Sequence, residues 1–144
     1  MTKASDITVV TGTIGDDIHS LGITVIEHAL RNVGFHVVKL GIQVSQEDYI
    51  KAAIETDAKA ILVSSMSGHG RVLCQGFRDK CIEAGIPDVL LYVGGCLTTG
   101  DTPWDEIERY FLEDLKFNQV MPNTSLPGDV IEHLKDDLEV ELNA

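Results

Sequence analysis

A chain of 144 residues, 44% of them hydrophobic, suits one packed domain, and nothing in its composition favours disorder. Its formal charge of −12, from 11 basic and 23 acidic side chains, repels phosphate backbones and anionic headgroups, so neither nucleic acid nor a membrane surface is an expected partner. Its 3 cysteines include no CxxC pair, which argues against a disulfide framework and a thiolate metal site. With no signal-like or membrane-length apolar run, the expected location is the cytoplasm.

Short β-branched runs alternate with helical patterns along the chain. Ile7 to Thr11 reads as a buried strand. Leu21, Val25, Ala29 and Val33 then recur at helical spacing, Ile26 and Leu30 widen the stripe, and Gly34 is a fitting stop. Phe35 to Leu40 is a second strand. Ser45 with Glu47 and Asp48 opens a second helix, whose expected apolar face is Tyr49, Ala52 and Ala53. Ala60 to Val63 is a third strand, followed by the turn Ser67-Gly68-His69-Gly70. One helix is expected from about Val72 to Ala84, stopping at Gly85, with Cys74 and Cys81 buried on one face. Val89 to Val93, a fourth strand, runs into Gly94-Gly95. Pro103 starts a helix toward Leu115, Gln119 to Met121 is a brief fifth strand, and a last helix spans about Gly128 to Leu138. The end of the chain, 136–144, is acidic and is expected to fray.

Five strands alternating with helices predict a single α/β domain over 1–144, with a parallel sheet covered by helices on both faces. Right-handed crossovers leave few topologies, and the flavodoxin-like (Rossmann-like) doubly wound order 2-1-3-4-5 is expected. Ligands of such sheets sit beyond the carboxyl ends of the strands, where the order reverses, here between strands one and three. The loops flanking that point are Gly12 to His19 and Ser64 to Gly70.

The first of these loops is neither GxGxxG nor a P-loop, since the glycine spacing and the lysine are missing. It does carry Asp17 two residues before His19. A neutral imidazole can ligate a metal through one nitrogen and donate its other N–H to a carboxylate, which fixes its tautomer and orientation. Alone, the pair is weak evidence and reads first as two surface side chains without a function. In context it belongs to an ordered set: Asp17-Ile18-His19-Ser20-Leu21-Gly22 opens the first helix, Ser64-Ser65-Met66 follows the third strand, and Gly94-Gly95 follows the fourth. That set resembles the cobalamin-binding domain shared by corrinoid enzymes. Ser45 to Tyr49, Ala52 to Thr56, Arg78 to Gly85, Trp104 to Phe111 and the turn Pro122-Asn123-Thr124-Ser125 extend the likeness to the small subunits of glutamate (methylaspartate) mutase.

The resemblance implies that His19 is the lower ligand of cobalt, displacing the cofactor's own benzimidazole, and that Asp17 is its hydrogen-bond partner. Ser64 and Thr124 would contact the freed nucleotide tail, Met66 would stand where the family has leucine, and Gly22, Gly94 and Gly95 would leave room for the tail. It further implies adenosylcobalamin as cofactor and an isomerase that interconverts L-glutamate and threo-3-methylaspartate. This chain would carry no catalytic residue and would be inactive without a larger barrel-type catalytic subunit, the two forming a heterotetramer. A small subunit of an acyl-CoA mutase and a corrinoid methyl carrier share the motif and are the alternatives. A phospho-receiver would need an aspartate where Ser64 and Ser65 stand. His69 is either a contact of the cofactor face or a solvated loop residue. Cys96 is expected to be a small buried side chain, and Trp104 a candidate interface residue.

Overall fold

A computed structural model describes residues 2–15, 21–98, 100–122 and 125–142. In chain order they form β1 (Thr2–Lys3), a 3-10 turn (Ala4–Asp6), β2 (Thr8–Thr13), α1 (Leu21–Asn32), β3 (His36–Lys39), α2 (Gln46–Thr56) and β4 (Ala60–Ser64). These are followed by α3 (Gly70–Leu73), α4 (Phe77–Glu83), β5 (Leu90–Gly94), α5 (Trp104–Arg109), a π-helical turn (Tyr110–Asp114), β6 (Gln119–Met121), α6 (Pro127–Leu138) and β7 (Val140–Glu141). No helix among the described residues is long and apolar enough to cross a membrane.

Five strands form one all-parallel sheet in the order β3-β2-β4-β5-β6, which bears out the expected flavodoxin-like topology. Side chains alternate across it. Val10, Ile61, Val63, Leu91, Val93 and Val120 face a core shared with α2, α4 and α5. Val9, Ala60, Leu62, Tyr92 and Met121 face a second core shared with α1 and α6. The second face thus has two helices to cover five strands, because the crossovers after β3, β4 and β5 all pass over the first. Between α1 and α6, the carboxyl halves of β4 and β5 are left without a helix over them, and the candidate site opens there.

Local sequence accounts for most boundaries. The Ser45 hydroxyl accepts a hydrogen bond from the Asp48 N–H at 3.1 Å and caps α2, while Glu47 and Asp48 sit in its first turn. The helix expected from Val72 to Ala84 is instead two, broken at Gly76, whose φ of 76° no helix interior accepts. Gln46 satisfies carbonyls freed by the break: its Nε2 donates to Leu73 O at 2.6 Å and Gln75 O at 2.9 Å. The stripe on α1 is also rotated from the expected one. Ile23, Glu27 and Leu30 are buried, whereas Val25 is 48% exposed. The chain end is not loose throughout: Val140 is buried, and β7 pairs in parallel with β1.

Cys74 and Cys81 are buried, and burial raises their thiols to about 12 and about 11 respectively. Cys96 corrects its expectation, since it is exposed on the turn after β5. A thiol reagent applied to the native protein is therefore expected to label one cysteine rapidly and the other two only on denaturation. Rapid labelling of all three would contradict this packing.

Candidate functional site: a slot between two helices

The slot is built from two rows of side chains that the parallel register lays across the sheet. In the lower row Thr11, Leu62, Tyr92 and Gln119 are neighbours, and in the upper row Thr13, Ser64, Gly94 and Met121. Over β4 and β5 the lower row is bulky and the upper row nearly bare. A space of about 250 Å³ results, bounded by α1 through Gly22, Ile23 and Ile26 and by α6 through Pro127 and Val130. Its walls are apolar apart from Ser64 and Ser125, the composition of a pocket for a flat, largely apolar group with one or two polar atoms.

The two helices are tied to the sheet at the level of the lower row. The Thr11 hydroxyl donates to the Glu27 carboxyl of α1, which is only 4% exposed. The Tyr92 hydroxyl donates to Asp137 of α6, and Gln119 reaches the same carboxylate at 3.4 Å. Burial first, and then that hydrogen bond, hold the Tyr92 phenol well above its ordinary range, so it stays a donor.

Five of the eight residues singled out from sequence line this slot: Gly22, Ser64, Met66, Gly94 and Gly95. Ser64 ends β4, is buried, and through its carbonyl accepts the Ile14 N–H at 3.0 Å. Asp17, His19 and Thr124 lie outside the described residues. Pro122 and Ser125 are further lining residues. His69 is exposed at the start of α3, His28 is exposed on α1, and Trp104 packs half-buried against the first core.

The three glycines have different physical roles. A Cβ on Gly22 would meet nothing within 4 Å, so this glycine leaves open space at the slot. One on Gly94 would lie 3.3 Å from Met121 Cβ. One on Gly95 would come within 2.4 Å of the Ser65 carbonyl oxygen, so this glycine is required by the packing of one loop on the next rather than by space for a ligand. Sequence reasoning missed Leu62, Tyr92, Val25 and Val130 as walls, since each reads there only as an apolar core position. The signal available was Tyr92 two residues before Gly94, a large residue below an absent one on the same face of one strand.

The expectation that the slot receives a nucleotide tail is tested by Gly22→Ala. Alanine is favoured over glycine inside a helix by up to about 1 kcal/mol, so the ligand-free protein is expected to become more stable. The added methyl would stand in the slot, so cobalamin affinity is expected to fall by about tenfold. Denaturant unfolding and equilibrium dialysis check the two signs separately, and unchanged affinity would contradict this role.

A doubly wound sheet with an apolar slot over the carboxyl halves of two inner strands has the form of a ligand-binding α/β domain, and residues 7–111 match the family model of the B12 binding domain. A cobalamin-binding protein of Desulfitobacterium hafniense shares the fold with a TM-score of 0.71 at 17% identity, over 92% of this chain and 59% of that one. Nearer in sequence are the glutamate mutase sigma subunits of Carboxydothermus hydrogenoformans, 50% identical over 92% of this chain and 96% of that one, and of Clostridium cochlearium, 45% identical over 93% and 97%. The chain belongs to the glutamate mutase sigma subunit family of B12-binding proteins. The family read from the motif residues is thereby borne out.

Proposed function

We propose that this chain is the cobalamin-holding subunit of a two-component glutamate mutase, with His19 as the lower ligand of cobalt and the displaced benzimidazole tail seated between α1 and α6. The observation that carries the reading is the convergence of Gly22, Ser64, Met66, Gly94 and Gly95, from three distant stretches of sequence, on one apolar slot. The fit is chemical as well as spatial. The slot's apolar walls suit a benzimidazole, Ser64 among them carries a hydroxyl able to donate to a ring nitrogen, and Gly22 leaves open space.

Adenosylcobalamin supplies a carbon radical by homolysis of its cobalt–carbon bond. The residues of this chain hold and orient. Asp17 accepts the second imidazole N–H of His19, fixing the tautomer and making the ligand more basic. Ser64 and Thr124 bind the tail, and the walls keep water from it. No described cluster of arginines offers a grip for a dicarboxylate: Arg78, for one, is spent on Lys116 O, Pro87 O, Val89 O and Asn118. Substrate therefore belongs to a larger partner subunit of (β/α)₈ type, with the cofactor between the two.

Reconstitution with a candidate large subunit separates this reading from its rivals. Turnover is expected with L-glutamate, none with an acyl-CoA, and none from either subunit alone. Turnover of an acyl-CoA, or of glutamate by this chain alone, would overturn it.

A further inference from the structure

We infer that Tyr92 is the specificity-determining floor of the slot, fixing the largest lower base a bound cobamide can carry. The inference rests on the cobalamin reading and adds to it a residue and a selectivity.

Tyr92 and Gly94 are on the same face of β5, one above the other. Tyr92 lines the slot from below, and Gly94 contributes no side chain above it. The neighbouring strand repeats the arrangement, with Leu62 below and the small Ser64 above. The slot therefore exists where the upper row is small and ends where the lower row is large. Depth is a property of two side chains, of which Tyr92 is the larger.

A wall sets specificity only if it does not move, and the Tyr92 ring is held from both ends. Its backbone lies on an inner strand, paired with Leu62 on one side and Gln119 on the other. Its hydroxyl is bonded to Asp137 of α6, and the side chain is 2% exposed. On the opposite side of the slot, the Thr11–Glu27 hydrogen bond ties α1 at the same level. The two helices are thus pinned at the floor, and the walls cannot spread there to admit a longer ring system. Among packed apolar contacts, extra ring atoms meet overpacking rather than space.

Two cobamides that differ only in the lower base provide the probe: one with dimethylbenzimidazole, the other with the longer naphthimidazole. Equilibrium dialysis with the full chain is expected to show the naphthimidazole form binding at least about tenfold more weakly, as overpacking of a fixed floor requires. Tyr92→Leu is expected to bring the ratio below about threefold by lowering the floor, whereas Tyr92→Phe, which keeps the ring, is expected to retain the discrimination. Equal binding of the two forms by the unaltered protein would overturn the inference whether or not the leucine variant folds. An unchanged ratio in folded Tyr92→Leu, verified by circular dichroism, would overturn it as well. Failure of the unaltered protein to bind either cobamide would instead refute the cobalamin reading on which it rests.

Discussion

Gly95→Ala is expected to lower the stability of the fold by about 3 kcal/mol or more, a larger effect than any other single methyl added near the slot. Two independent causes combine. The residue has φ of +114°, where L side chains are strained. The new Cβ would also stand 2.4 Å from Ser65 O and 2.8 Å from Met66 Sδ. The methionine can swing away, but the backbone oxygen is held. Ser65 N–H donates to Gly94 O at 3.0 Å, Gly68 N–H to Cys96 O at 3.0 Å and Arg71 N–H to Leu97 O at 3.2 Å, closing the loops after β4 and β5 on each other. Relief therefore means separating those loops, and with them Ser64 and Met66 on one wall of the slot. Loss of cobalamin binding should accompany loss of stability. A denaturant midpoint within about 1 kcal/mol of the parent would show that the loops yield more easily than their hydrogen bonds imply.

His19→Gly is expected to produce the largest loss of cobalamin affinity of any histidine replacement, with stability unaffected in the absence of cofactor. His133→Gly is the control, since His133 stands half-buried on α6 and is no part of the slot. Asp17→Asn belongs between the two. In the proposed arrangement it would keep a hydrogen-bond partner for the imidazole but remove the carboxylate's charge, and loss of such a partner typically costs about 10- to 100-fold in metal affinity. The order His19→Gly, then Asp17→Asn, then His133→Gly in decreasing effect is the expected result of dialysis against cobalamin. A His19 variant that binds as well as the His133 variant would contradict the ligand assignment.

The architecture was legible in the sequence because the inner strands β2, β4 and β5 are buried on both faces and so read as continuous apolar runs, while Ser45, Gly34 and Pro103 mark helix ends by their own chemistry. The helix break at Gly76 was not. Glycine inside an apolar stripe is tolerated or broken according to tertiary partners, and here the deciding partner is Gln46, 27 and 29 residues from the carbonyls it binds. The rotation of α1 has a similar origin. Val25 counts as core by hydropathy, yet the helix turns it toward the slot and buries Glu27, whose partner Thr11 lies 16 residues away on a strand. Arg78, part of a stretch that carried the family likeness, ties α4 to the residues before β5 and before β6 through four hydrogen bonds, so that likeness reflects folding as much as function. Of the site, the small residues were visible through the motif. The large ones that give the slot its floor were not, because a wall and a core residue have the same composition.

Electron paramagnetic resonance of the cob(II)alamin complex, prepared with ¹⁵N-labelled histidine in the protein, tests ligation by His19 most directly. The prediction is that the axial-nitrogen splitting of the cobalt signal changes from a triplet to a doublet on labelling, and that the change disappears in His19→Gly. A triplet unchanged by the label would mean that the cofactor's own base still holds the metal, leaving the slot between α1 and α6 without a displaced tail to receive.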